Sequence, residues 1–106
     1  KQSFYMKESI TYLKGKIDQI TDLFPHLKIR YEYRTTISTH FIEILPLEEF
    51  ESNQEFILFE MELENEFETL YGKKEDIVFI STDSLNEIRT EDFSWGYCSY
   101  NTHFAP

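Results

Sequence analysis

The fold is decided by residues 27–45, which read LKIRYEYRTTISTHFIEIL. From Leu27 to Thr35, apolar or aromatic side chains alternate with charged ones, and this period of two predicts a strand with one buried face. Residues Thr39 to Leu45 are rich in β-branched and aromatic side chains, which predicts a second strand. Because the link between the two strands is short, we expect them to pair as an antiparallel hairpin.

An amphipathic helix is predicted before the hairpin, over residues 2–24. Pro25 is expected to end it, because the residue before a proline is disfavoured in the helical region. Its apolar side chains recur at steps of four and three residues, as expected for a helix packed on one side: Met6, Ile10, Leu13, Ile17, Ile20 and Phe24.

A second helix is predicted after the hairpin. Ser52 and Glu55 match a capping box at its start, and Gly72 is expected to end it in the left-handed conformation. Between these ends, apolar side chains at helical spacing form the expected core stripe: Phe56, Phe59, Leu63, Phe67 and Leu70.

The last third of the chain is predicted to hold a third strand and an aromatic segment. Residues 76–81 contain an uninterrupted apolar run, which favours a central strand buried on both faces. A short turn is expected over residues 85–88, capped by Asp83 or Ser84. Residues 93–106 are rich in aromatic side chains, so we expect them to dock on the body of the protein, in part as a fourth strand.

These elements predict one α+β domain over residues 1–106, with the aromatic segment 93–106 at its end. The expected architecture is a two-layer sandwich in the order α-β-β-α-β(-β), with a three- or four-stranded mixed sheet and two helices on one face. The strand–helix–strand step implies a right-handed crossover, and therefore some parallel pairing.

Charge is distributed unevenly along the chain. The 106 residues carry 20 acidic and 10 basic side chains, a net charge of -10, and no Lys or Arg lies between Thr35 and Gly72. Because binding to phosphate backbones relies on Lys and Arg, direct nucleic-acid binding is disfavoured. A basic protein partner fits this charge distribution.

Composition also limits the compartment and the cofactors. No apolar run approaches the length of about 18 residues that a membrane span needs, and the first residues lack the apolar block of an export signal. The single cysteine, Cys98, excludes an intrachain disulfide. We therefore expect a cytoplasmic protein that is not bound to a membrane. No phosphate-binding or dinucleotide-binding motif occurs, so no cofactor is expected.

Candidates for catalysis are few. His40 and Glu43 resemble an acid–base pair, but residues three apart on a strand point to opposite faces. The three histidines, His26, His40 and His103, follow no metal-ligand spacing, and no nucleophile signature surrounds Cys98. No catalytic or metal-binding residue is therefore predicted, and a non-enzymatic role is favoured. The alternative is a small-ligand or enzyme pocket near His40, or near Asp83 at the end of the third strand.

The second helix is the predicted interaction surface. Three apolar side chains are predicted to lie away from its core stripe, Ile57, Leu58 and Met61, and of these Leu58 and Met61 are the expected anchors. Glutamates on the two flanks form the expected charged rim: Glu60, Glu62, Glu64, Glu66 and Glu68. An apolar centre with a charged rim is typical of protein interfaces. We therefore expect binding to a basic protein, in a role of the inhibitor, immunity or antitoxin type.

Two alternatives concern the same surface. A homodimer through this helix is possible, although two acidic faces repel each other. The aromatic segment 93–106 is another candidate to cover Leu58 and Met61.

Residues 63–85 resemble the final part of small nucleotidyltransferase-like domains, where a helix leads through a glycine into a buried strand. The Gly-Ser turn and paired aspartates of those enzymes are absent upstream, so the resemblance implies no activity.

Overall fold

The computed structural model describes residues 6–97. Over this range the elements follow in the order α1 (Glu8–Leu23), β1 (Lys28–Arg34), a 3-10 turn (Thr35–Ile37), β2 (Thr39–Leu45), α2 (Leu47–Ser52), α3 (Gln54–Tyr71), β3 (Asp76–Ile80) and β4 (Phe93–Trp95). Of the helices in this range, none has the length and apolar character needed to cross a membrane.

The described strands form one mixed sheet in the order β3-β2-β1-β4. Strand β1 is antiparallel to both β2 and β4, and the predicted hairpin places Tyr31 opposite Ile42. Strands β2 and β3 are parallel, because the helical segment between them carries the chain back across the sheet. Helices α1 and α3 pack on one face of this sheet. The predicted α+β fold with a mixed sheet is confirmed.

The core lies between the two long helices and the sheet. Because successive strand side chains point to opposite faces, every second residue of the hairpin faces the helices. The side chains that are buried there come from both layers: Leu13, Ile17 and Ile20 of α1, Phe56, Leu63 and Phe67 of α3, and Ile29, Tyr31, Ile42 and Ile44 of the hairpin.

The opposite face of the sheet carries paired charges. Arg30 donates two hydrogen bonds to Glu43, at 2.7 and 2.9 Å, and Arg34 forms a similar fork with Glu32. Ile88, in the segment that leads to β4, covers part of this face. Helices therefore cover one side of the sheet, while ion pairs and a loop cover the other.

The start of each long helix differs from the prediction. Helix α1 begins at Glu8 rather than at residue 2; residues 2–5 lie outside the described range. The predicted cap at Ser52 is wrong, because Ser52 is the last residue of the short helix α2, which was not predicted. Asn53 has the extended backbone that a cap requires, and its side-chain oxygen accepts a hydrogen bond from the Phe56 N–H.

The end of α3 also departs from the prediction. The helix ends at Tyr71 as expected, but Gly72 keeps a right-handed φ of -64°, because the chain continues into a turn in which Lys74 and Glu75 donate hydrogen bonds to the Tyr71 carbonyl. Leu70 was predicted in the core and is 54% exposed. Tyr71 packs against the core instead, beside the Phe67 ring.

Strand β3 is an edge strand, so the prediction of a central strand is wrong. Its side chains are apolar on both faces for a different reason: Phe79 packs beneath the helices, while Ile80 packs against Ile88 on the other side. The turn predicted over residues 85–88 lies earlier, at residues 82–83, and residues 86–88 form no regular element. The aromatic segment contributes the short strand β4, and its residues 98–106 lie outside the described range.

Replacing Asn53 tests the observed helix start. Asn53→Ala removes the side-chain cap of α3 and should lower the free energy of unfolding by about 1 kcal/mol, measured by urea denaturation. Ser52→Ala is the matched control and should change it by less than about 0.5 kcal/mol. A larger loss for Ser52→Ala than for Asn53→Ala would contradict this assignment.

Candidate functional site

The outward face of α3 consists of Leu58, Met61 and Asn65, with Glu62 and Glu68 beside them. At 100° per residue, the first three lie within about 60° of one another and opposite the core side of the helix. Leu58 is 59% exposed and Met61 is 53% exposed. Ile57, which was predicted on this face, is half-buried and packs against the core instead. Single exposed apolar side chains are common on protein surfaces, but Leu58 and Met61 lie side by side on neighbouring turns, so this face is a candidate binding surface.

Glutamates on the two flanks of α3 have different surroundings. The flank with Glu66 faces α1, where Glu66 accepts a hydrogen bond from the Tyr12 hydroxyl and forms an ion pair with Lys16 at 3.2 Å. Glu62 and Glu68 are exposed, and among residues 6–97 neither has a cationic partner within ion-pair distance. The exposed charge beside Leu58 and Met61 is therefore uncompensated.

Glu60 and Glu64 lie on the flank that faces away from α1. Both side chains are half-buried, unlike the exposed rim positions predicted for them. Burial raises the pKa of Glu60 to about 7, and the neighbouring Glu64 carboxylate adds to the rise. Burial also raises the pKa of Glu64. Of the five glutamates predicted as a rim, only Glu62 and Glu68 remain as exposed carboxylates without a cation within the described part of the chain.

His40 is fully buried at the centre of a polar network on the helix-facing side of the sheet. Its Nδ1 lies 2.6 Å from the Tyr31 hydroxyl, and its Nε2 lies 2.6 Å from a carboxylate oxygen of Glu75. The other oxygen of Glu75 forms an ion pair with Lys7 at 2.9 Å. The His40 ring also stacks on Tyr33, with a centroid distance of 4.3 Å. We call this set the Tyr31–His40–Glu75 network.

Burial and the neighbouring charged groups determine the protonation state of this network. Burial lowers the pKa of His40, and the nearby Glu75 carboxylate only partly offsets that effect. Burial would raise the pKa of Glu75, but its contacts with His40 and Lys7 outweigh that effect and hold the pKa at about 2. A neutral imidazole therefore donates from Nε2 to the Glu75 carboxylate and accepts at Nδ1 from Tyr31.

The network resembles a carboxylate–histidine–hydroxyl triad, but its reactive atoms are not accessible. Tyr31 and His40 both have no exposed surface. A substrate would have to displace Tyr31 or Glu75 to reach the imidazole nitrogens. The arrangement instead satisfies every nitrogen of a buried ring, which is what a structural histidine requires.

The remaining sequence candidates lie apart from one another. Glu43 points to the opposite face from His40, as expected, and binds Arg30. Asp83 lies exposed in the turn after β3. His26 pairs with Glu49 at 3.1 Å, and Cys98 and His103 fall outside the described range. Within residues 6–97, no three His, Cys, Asp or Glu side chains gather in a way that could hold a metal ion.

Sequence reasoning missed Glu75, Tyr31 and Lys7 as partners of His40. His40 and Glu75 meet because β2 and β3 pair in parallel, which places His40 beside Ile77. Glu75 lies two residues before Ile77 and therefore arrives at the His40 end of the sheet. That register depends on tertiary packing and is not visible in the sequence of either strand.

Comparison with protein-family models, with curated proteins and with solved structures found no match to this chain.

Replacing Glu75 tests whether the network stabilises the fold. Glu75→Ala leaves the buried Nε2–H of His40 without an acceptor, so the free energy of unfolding should fall by about 1–3 kcal/mol in urea denaturation. Glu75→Gln keeps an acceptor oxygen and should lower the free energy of unfolding by less than Glu75→Ala does. Asp83→Ala, at an exposed turn, should stay within about 0.5 kcal/mol of the wild type. Equal effects for the alanine and glutamine variants would contradict the assigned hydrogen bond.

Glu60 should make stability depend on pH in a defined direction. Its folded pKa of about 7 lies above the ordinary value of 4.5, so its favourable contribution is fully present below pH 4.5 and is lost as pH rises through 7. Glu60→Gln cannot ionise. It should therefore stabilise the protein more at pH 8 than at pH 5, as measured by urea denaturation at both values.

The matched control is Glu62→Gln, which removes an exposed carboxylate from the same helix and should show no such difference between the two pH values. If Glu60→Gln changes the free energy of unfolding equally at both pH values, or more at pH 5, the raised pKa assigned to the half-buried Glu60 carboxyl is wrong.

Proposed function

We propose that this protein is a non-enzymatic interaction module that binds a basic protein partner through the outward face of α3. Leu58 and Met61 are the apolar anchors, and Glu62 and Glu68 supply the charged rim. The single observation that carries the proposal is the exposure of two large apolar side chains, one helical turn apart, among carboxylates that lack cations in the described part of the chain.

The distribution of cations supports a partner of positive charge. Arg30 and Arg34 are held in ion pairs on the opposite face of the sheet, and Lys16 pairs with Glu66. Lys73 and Lys74 follow the C-terminal end of α3, but in the described part of the chain no Lys or Arg lies within ion-pair distance of Glu62 or Glu68, so a positive partner charge is missing beside these two carboxylates. A basic partner would supply it, which favours rapid, salt-sensitive association.

The described part of the aromatic segment lies elsewhere. The Trp95 indole N–H donates to Asp18 at 2.8 Å, and the ammonium group of Lys14 lies 4.1 Å from the centre of the Phe93 ring. Residues 93–95 therefore lie beside α1. This placement leaves Leu58 and Met61 uncovered by the described residues.

An inhibitor, immunity or antitoxin type of role is the biological form we propose for this binding. A compact acidic domain of this kind can occlude the basic surface of a nuclease or another nucleic-acid-binding protein, because it offers that surface a competing set of carboxylates. The pocket alternative has less support, since His40 is enclosed and Asp83 lies in an exposed turn.

Charge reversal on α3 tests the proposal. Partners are captured on tagged wild-type protein at low and high salt, and the association rate of a captured basic protein is then measured. Glu62→Lys with Glu68→Lys should slow association by about tenfold or more at low salt, and high salt should reduce the difference. Leu58→Ala with Met61→Ala should speed dissociation without unfolding the domain.

The matched control reverses two exposed acidic residues on other surfaces, Asp22→Lys with Asp83→Lys. This variant has the same net charge as the α3 variant and should bind nearly as well as the wild type. Equal slowing by both double variants would mean that the overall charge of the protein, and not the outward face of α3, controls association, and would contradict the proposal. Capture of no basic partner at either salt concentration would count against the proposed function.

A further inference from the structure

The outer edge of β3 offers backbone groups for pairing. The Asp76 N–H donates to the Ser38 carbonyl at 3.0 Å, on the side of β2. Since backbone groups alternate along a strand, Val78 and Ile80 also point toward β2, while the N–H and C=O groups of Ile77 and Phe79 point outward. The strand order places β3 at the end of the sheet, with no neighbour beyond it among the described residues.

Among residues 6–97, this edge lacks lysine, proline, a bulge or a neighbouring strand that would block pairing. Edge strands are commonly blunted by lysine, proline, a bulge or a covering segment. Apart from Asp76 at its start, β3 carries no charged side chain and it contains no proline, and its pairing with β2 is regular. The two outward-pointing residues therefore present two donors and two acceptors that match an added strand.

Glu60 and Glu64 lie on the side of α3 nearest this edge. Helix α1 lies beside β4, as the Trp95–Asp18 hydrogen bond shows, and α3 contacts β3. The Glu66 flank of α3 faces α1, so the opposite flank, with Glu60 and Glu64, faces the β3 side of the sheet. Neither carboxyl has a cationic partner within ion-pair distance in the described part of the chain, although both are half-buried.

We propose that the outer edge of β3 binds an extended, basic segment of a partner protein by strand addition. The segment pairs with the backbone of Ile77 and Phe79. Every second side chain of the segment falls on the helix side, where lysine or arginine would lie beneath Glu60 and Glu64. The alternate side chains fall on the other face, beside Val78 and Ile80, where apolar residues fit.

Charge decides between this occupant and a second copy of the chain. Pairing two β3 edges would bring the Glu60 and Glu64 carboxyls of both copies toward one interface, and each copy has a net charge of -10. A basic segment supplies the missing cations instead, so charge complementarity favours it. This surface differs from the outward face of α3, and the two proposals can fail separately.

The test uses a blocked heptapeptide that alternates lysine and valine, titrated into the full chain. Saturable shifts of the Ile77 and Phe79 amide signals in nuclear magnetic resonance spectra, with slower amide hydrogen exchange at both, are expected. Because any cationic peptide is attracted to an acidic protein, a control peptide has the same sequence with N-methyl groups on its interior amides. With this control peptide, the amide signals of Ile77 and Phe79 should not shift.

Two matched double variants test which pair of glutamates binds the cationic side chains of the peptide. Glu60→Gln with Glu64→Gln should weaken binding of the lysine–valine peptide by about three- to tenfold, the effect of two partly exposed ion pairs. Glu62→Gln with Glu68→Gln removes the same charge from the outward face of α3 and should weaken it by less than about twofold. Both variants keep the core unchanged, and the amide spectra confirm that they fold.

Several results would overturn the proposal. They are an absence of saturable shifts at Ile77 and Phe79, equal binding of the N-methylated peptide, and equal weakening by the two double variants. Shifts confined to Leu58 and Met61 would assign the peptide to the outward face of α3 and refute the edge site alone. Protection of Ile77 and Phe79 without peptide, in a sample that sediments as a dimer, would assign the edge to a second copy.

Discussion

The hydrogen-bonded imidazole of His40 joins four parts of the chain. His40 belongs to β2, Tyr31 to β1, Glu75 to the turn before β3, and Lys7 to the residue before α1. Tyr31 and Glu75 each satisfy one nitrogen of the buried imidazole, and Lys7 pairs with the second oxygen of Glu75. The loss of Tyr31 or Glu75 would leave a buried nitrogen of His40 without its hydrogen bond. The network therefore links the β1–β2 hairpin, the turn after α3 and the start of α1 at one end of the sheet.

The orientation of α3 follows from this constraint and from the core. The network holds the turn after the helix, while the Asn53 cap defines its start. Between these ends, Phe56 and Phe67 are buried against the sheet, and this forces Leu58 and Met61 outward. Arginines on the other face of the sheet are already paired. Helix α3 contains no Lys or Arg, and five of its carboxyl groups have no cation within ion-pair distance among residues 6–97: Glu55, Glu60, Glu62, Glu64 and Glu68. This concentration of acidic groups on one helix is the physical basis of the proposed interaction surface.

Local patterns predicted the elements but not all of their neighbours. Alternation identified the β1–β2 hairpin, and helical spacing placed Leu58 and Met61 outward, because both patterns reflect which side of an element is buried. The same patterns made β3 appear central, since Ile88 covers the face that a second layer would cover. Ser52 had suitable chemistry for a cap, but α2 extends the helical backbone through it. The partners of His40 and the burial of Glu60 depend on contacts between distant residues, which periodicity does not encode.

A structural role for His40 requires a neutral, enclosed imidazole. Nitrogen-15 spectra of the histidine rings near neutral pH test this requirement most directly. We expect His40 to be the tautomer with a proton on Nε2 and none on Nδ1, because Glu75 accepts from one nitrogen and Tyr31 donates to the other. A proton on both nitrogens, or on Nδ1 alone, would contradict the assigned network. It would also restore the case for His40 as a group that exchanges protons with a ligand.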